Sequence, residues 1–306
     1  MEEQNNSIQA QIIEPIPSWK SLITGSFGLY RRVVKPILLV GSVPAAVALA
    51  DYIFNYLGLT GLSALMGLAS VVVALFFYPA LMIVITSEGN PAGIKSAGSA
   101  YKESWPILGS YLVLVSLMAI VAAGGFLLLI IPVIYVGVMV SLSPFVWLIE
   151  GKRGKDALAV SWFYIKGNWR KLFWSYLFTG ILLAVIQGII SGIFSAFFPP
   201  QQLPIPASSI PYNIPSYFLT TASPEVTLVG SLLGYLFSVP ISIAFGFVIY
   251  RFLKSQKENQ LNDVVLASSR KSISRFMILG IVAMVLLVIV ILGAFSFALF
   301  QLKGFV

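Results

Sequence analysis

The chain contains no histidine and no cysteine, and only 10% of its 306 residues are charged. Without histidine it lacks the commonest general base and transition-metal ligand. Without cysteine it has no disulfide, thiolate nucleophile or thiolate metal site, and the redox state of its compartment leaves no mark. Eleven carboxylates remain, most of them flanking apolar runs singly, and no HExxH, GxxxxGK[ST] or GxSxG pattern occurs. These absences predict a protein that is not an enzyme and that holds no metal or cofactor.

What the sequence has in abundance is apolar length. Hydrophobic residues make up 58% of the chain, which leaves too little polar surface to solvate a globule of this size, so lipid must be the main solvent. A hydrocarbon core of ~30 Å needs roughly 20 apolar residues per helix, and the uncharged runs supply seven spans. They run from Pro36 to Leu57, Leu62 to Thr86, Leu172 to Phe198, Val226 to Tyr250 and Phe276 to Leu302. Two more form a hairpin cut from the uncharged stretch Pro106 to Ile149 near Leu128 to Pro132. The reading is an all-α polytopic bundle. It assigns 1–35 to a cytoplasmic N-terminal segment, 36–253 to a six-span core, 254–275 to a cytoplasmic linker with a short helix near Leu261 to Leu266, and 276–306 to an appended C-terminal span.

Charge orients the spans, because Lys and Arg are held on the cytoplasmic side during insertion. Eighteen of the nineteen basic residues fall in the N-terminal segment and in the loops after spans two, four and six, leaving only Lys303 for the other side. This predicts a multi-pass plasma-membrane protein with its N-terminus cytoplasmic and its C-terminus exterior. The same sorting accounts for the formal net charge of +8, so the basicity does not imply a nucleic-acid partner. The polar, acidic Met1 to Ile16 followed by a full-length first span is not the pattern of a cleaved secretory signal.

Short amphipathic stretches precede spans one, three and five, which suggests interfacial helices. Trp19, Leu22, Ile23, Phe27 and Tyr30 form the first stripe, and Asn90-Pro91 would cap the second. The third places Leu158, Trp162, Ile165 and Trp169 at helical spacing among cations. Lys152, Arg153, Lys155, Lys166, Arg170 and Lys171, with Trp162 and Trp169, are therefore the candidate surface for anionic lipid head groups or a membrane-protein partner. Their alternative role is to anchor and orient span five. Residues 199–225 form a proline-rich exterior loop that either lies on the head-group layer or covers an outward-facing cavity.

Two polar residues lie within spans. Asp51 is the sole ionisable side chain there, about 22 Å along the helix from Pro36 at ~1.5 Å per residue, so it reads either as an interfacial helix end or as a proton or cation site. Gln187 sits mid-span near Gly188, Ser191 and Gly192, where it either bonds a neighbouring helix or touches a substrate. Pro79, Pro132, Pro144 and Pro240 free backbone carbonyls, which reads as kinks or as the broken helices of a transporter.

One stretch resembles a known family. Ile131-Pro132, Ile134-Tyr135, Ser141-Leu142-Ser143-Pro144, Glu150-Gly151-Lys152, Ser161-Trp162 and Lys166-Gly167-Asn168 through Phe173 resemble the membrane domain of some bacterial glycerophosphodiester phosphodiesterases and related uncharacterised polytopic membrane proteins. The resemblance implies a six-helix membrane module without catalytic residues, since in the fused enzymes the metal-dependent hydrolase is a separate soluble domain. The proline-rich loop and the seventh span depart from that pattern. The expected function is a non-enzymatic membrane module binding lipid head groups or a membrane-protein partner. The alternative is a transporter, channel or lipid-translocating protein for a neutral or amphipathic substrate.

Overall fold

The computed structural model describes residues 16–87, 97–127, 130–199, 201–202, 220–221 and 223–303. Its helices are α1 (Trp19–Arg32), α2 (Val34–Tyr56), α3 (Thr60–Thr86), α4 (Ala97–Ser104), α5 (Leu108–Leu127), α6 (Ile130–Val140), α7 (Ser143–Ile149), α8 (Lys155–Ile165), α9 (Trp169–Phe197), α10 (Pro224–Leu233), α11 (Val239–Lys257) and α12 (Asp263–Lys303). A π-helical turn, Gly234–Ser238, joins α10 to α11, and a 3-10 turn, Glu258–Gln260, follows α11. Among the described residues seven helical stretches are long and apolar enough to cross a membrane, so the chain is an all-α, multi-spanning membrane protein.

The chain clusters into two compact units. The first comprises residues 1–22, 109–175 and 246–306, the second 23–108 and 176–245. This division differs from a six-span core with an appended seventh span. Within the first unit α12 packs on α8 and meets α5 at a crossing of two glycines. A Cβ on Gly124 would overlap the Phe276 carbonyl oxygen, and one on Gly280 would overlap the Ile120 carbonyl oxygen. Close backbone approach through small residues is how helices associate in lipid, where apolar side chains gain little by leaving the bilayer.

α12 also absorbs part of the expected linker. Its 41 residues span about 60 Å at ~1.5 Å each, so the polar residues 263–275 continue the span's helix instead of forming a separate segment. Asp263 in its first turn suits the positive helix end.

The short helices ahead of spans lie where the amphipathic stretches suggest, but protein covers their apolar sides. Leu22, Ile23 and Leu29 of α1 are buried, and Phe27 and Tyr30 both pack on Phe237 at 6.2 Å between ring centroids. α8 departs furthest from a surface-lying helix. Ala157 through Trp162, with Tyr164 and Ile165, are all buried. Ser161 repairs the break between α6 and α7, because its hydroxyl donates to the Met139 carbonyl at 2.9 Å and accepts the Leu142 N–H at 3.2 Å. The Asn90-Pro91 cap lies outside the described residues.

In the second unit, α2 and α3 form an antiparallel pair joined at Leu57–Leu59, with Gly58 at φ 71°. Of the loop 199–225 the described ends pair as a two-residue antiparallel ladder, Gln201 with Thr221 and Gln202 with Thr220. The loop therefore leaves and returns at one place; most of it lies outside the described residues. Ser223 then caps α10 by accepting the Val226 N–H, with Pro224 opening the first turn.

Prolines in these helices leave carbonyls without their usual donors, and tyrosines supply replacements. Pro44 has no N–H for the carbonyl of Val40, four residues back; the Tyr101 hydroxyl donates to that oxygen at 3.0 Å. Pro240 deprives Leu236 in the same way, and the Tyr30 hydroxyl donates to its carbonyl at 2.8 Å. Tyr101→Phe should destabilise the protein by about 1 kcal/mol. In a Pro44→Ala background, which restores the N–H, the same change should cost clearly less. A double-mutant cycle on thermal unfolding in detergent checks this, and simple additivity would contradict the assignment.

Candidate functional site

Two polar assemblies stand out, one in each unit. In the first unit the turns flanking α8 carry the predicted cations. Gly151, Gly154 and Gly167 take positive φ (66°, 51° and 90°), which only glycine adopts without strain. These turns present Lys152, Arg153, Lys155, Lys166, Arg170 and Lys171, all of them exposed. Arg153 donates to the Ser110 hydroxyl, which also receives the Trp147 indole N–H at 3.2 Å. No acidic side chain among the described residues pairs with Lys152, Lys155, Lys166, Arg170 or Lys171.

The two tryptophans of the predicted surface separate. Trp162 is only 6% exposed and packs edge-on against Tyr135 at 5.6 Å and near Phe276 at 5.8 Å. It is a core residue, which corrects its place on a lipid-facing stripe: the spacing marked a helix face, and that face is covered by protein. Trp169 is 36% exposed and stacks edge-on against the same Tyr135 at 5.3 Å, so it lies at the protein surface.

Beneath these turns lies a network that sequence patterning missed. Lys257, 8% exposed, donates to the carbonyls of Phe163, Tyr164 and Lys166 at 3.3, 2.8 and 2.7 Å. These carbonyls belong to the end of α8, so one ammonium caps the helix with all three of its donors and complements its negative end. Through Tyr164 the network reaches Glu150, which accepts the Tyr164 hydroxyl at 3.1 Å and the Tyr250 hydroxyl at 2.9 Å, with the Lys254 ammonium 3.9 Å away. Burial, reinforced by the Glu150 carboxylate, pushes the Tyr164 phenol above its ordinary pKa, so it remains a donor. The available sequence signal was Glu150 ending the uncharged run 106–149. Nothing local linked it to residues a hundred positions later.

In the second unit α2, α3, α10 and the π-helical turn line a half-open cavity of ≈ 330 Å³. Asp51, Tyr52, Asn55, Ser70, Thr227 and Tyr235 supply most of its polar lining. Asp51 accepts the Ser63 hydroxyl at 2.6 Å and the Asn55 amide at 3.3 Å, both through Oδ1. Tyr52 donates to Glu225 Oε1 at 3.4 Å. Gln187 does not join Asp51: its amide donates to the Gly230 carbonyl at 3.0 Å, which is a helix-to-helix bond on α10. The carbonyls freed at Pro44 and Pro240 point to tyrosines and so contribute no ligand site.

Among the described residues no group of three or more metal-ligating side chains occurs. Comparison with known proteins finds no matching family model, no similar curated protein and no similar solved structure.

Lys257→Met should cost about 2–3 kcal/mol, since three carbonyls lose a charged donor in a buried setting. Lys254→Met should change stability by less than about 0.5 kcal/mol, because that ammonium is partly solvated and 3.9 Å from Glu150. Thermal unfolding of both variants checks the contrast; equal losses would contradict it.

Proposed function

We propose that this is a non-enzymatic plasma-membrane protein whose cytoplasmic rim of cations collects anionic lipid head groups. The observation that carries the reading is the set Lys152, Lys155, Lys166, Arg170 and Lys171. All are exposed and without acidic partners among the described residues, and the two turns that hold them are fixed by α8 and its Lys257 cap. A cation near an anionic bilayer surface contributes about 1 kcal/mol, so affinity comes from holding several together. Trp169 at the same turn adds an amphipathic ring suited to the interfacial layer.

Charge sorting supports the orientation, with the N-terminus and the α8 turns cytoplasmic and the C-terminus exterior. The resemblance of residues 131–173 to the membrane domain of glycerophosphodiester phosphodiesterases fits an accessory role, because in those enzymes the membrane part is not the hydrolase.

Replacing Lys155, Lys166, Arg170 and Lys171 by Gln removes four of these charges and keeps Lys152 and Arg153 to hold the topology. At ~1 kcal/mol per charge, retention of anionic phospholipid should fall by roughly a thousandfold. Native mass spectrometry of the protein released gently from its own membrane reads this out. Wild-type protein that carries no lipid, or that carries zwitterionic and anionic lipid equally, would contradict the reading. So would unchanged retention in the variant.

A further inference from the structure

We propose that the cavity of the second unit binds a small, hydroxyl-bearing ammonium compound, entering from the membrane side opposite Arg31 and Arg32. The inference stands apart from head-group binding, which concerns other residues in the other unit.

Charge supplies the first argument. No Lys or Arg occurs between Lys35 and Lys95 or between Lys171 and Arg251, and these stretches contain every residue that lines the cavity. Asp51 lines it directly, and Glu225 is tied to its wall through the Tyr52 hydroxyl. Two carboxylates without a neighbouring base make a negative field near a low-dielectric bilayer, where such a field is poorly screened and favours a cation. Both donors to Asp51 reach Oδ1, so Oδ2 has no hydrogen-bond donor among the described residues.

Size and lining define the cation. At ≈ 330 Å³ the cavity lies at the lower end of small-molecule pockets, roughly 300–1,000 Å³. It is about ten times the ~30 Å³ share of one water, far more than a bare metal ion fills. The other polar groups are neutral: the hydroxyls of Ser70, Thr227 and Ser231 and the amide of Asn55. Ser70, Thr227 and Ser231 donate their hydroxyl hydrogens to backbone carbonyls of their own helices, so their oxygens are left to accept from hydroxyl groups on the ligand. Tyr52 and Tyr235 add aromatic faces, and Tyr52 stacks with Tyr56 at 6.3 Å; such faces attract ammonium groups.

The backbone at the inner end is also specialised. From Pro224 to Tyr235 the wall runs about 16 Å at ~1.5 Å per residue and ends in the π-helical turn Gly234–Ser238. π-turns are rare and concentrate at functional sites. Here the widened turn presents Tyr235 to the cavity while its ring rests edge-on against Phe77 at 5.6 Å. Gly41 permits the approach, since a Cβ there would come within 2.8 Å of the Leu236 side chain and 3.3 Å of the Tyr235 carbonyl oxygen.

The test uses the purified full chain in zwitterionic nanodiscs near neutral pH, titrated calorimetrically with triethanolammonium. Triethylene glycol is the neutral counterpart of equal heavy-atom count. The expected results are saturable binding of the ammonium alone, at least tenfold weaker binding for Asp51→Asn, and a few-fold loss for Thr227→Val, which leaves the Asp51 hydrogen bonds untouched. The four-Gln variant of the α8 turns should bind triethanolammonium as the wild type does. No saturable binding, equal binding of triethylene glycol, or unchanged affinity in a folded Asp51→Asn protein would each overturn the proposal.

Discussion

The structure depends on one constraint: inside a bilayer no water is available to satisfy a backbone carbonyl that loses its helical donor. This chain breaks its helices repeatedly and answers four of the breaks with a side chain. Tyr101 serves the carbonyl freed by Pro44, and Tyr30 the one freed by Pro240. Ser161 closes the gap between α6 and α7, and Lys257 gathers the carbonyls at the end of α8. The short helices α1, α4 and α8 are where most of these donors reside, which gives them a structural duty beyond any contact with lipid.

That duty also separates the two polar assemblies chemically. Near α8 a buried ammonium fixes the backbone, while Lys152, Lys155, Lys166, Arg170 and Lys171 lie exposed without acidic partners among the described residues. In the second unit the broken-helix carbonyls are already occupied by tyrosines, so the chemistry left in the cavity is that of Asp51 and neutral hydroxyls. The basic turns and the acidic, hydroxyl-lined pocket differ in chemistry, and each follows from where Lys, Arg, Asp and Glu lie along the chain.

The number and extent of spans were legible because apolar length is a local property: the first run, Pro36 to Leu57, became Val34–Tyr56, and the second became Thr60–Thr86. Charge boundaries were less informative where a helix outlasts the bilayer. α12 carries polar residues from Asp263 into a span without interruption, because helical propensity does not stop at the head groups. Trp162 illustrates a different limit. Helical spacing identifies a stripe, but lipid and protein are both apolar partners for it, so the stripe alone does not say which one covers it. The Glu150 network and the cavity were hidden for a simpler reason. Their members come from distant segments, and single polar residues in separate spans carry no periodic signature.

Both functional readings require one membrane orientation, since head groups and an entering solute must meet the correct ends of these helices. The absence of cysteine makes it directly measurable with single-cysteine variants and a membrane-impermeant maleimide. Cysteines replacing Tyr56 or Phe197, 77% and 76% exposed, should label on intact cells. Those replacing Lys152 or Glu258 should label only after the membrane is opened. The reverse pattern, or labelling of all four on intact cells, would contradict the account.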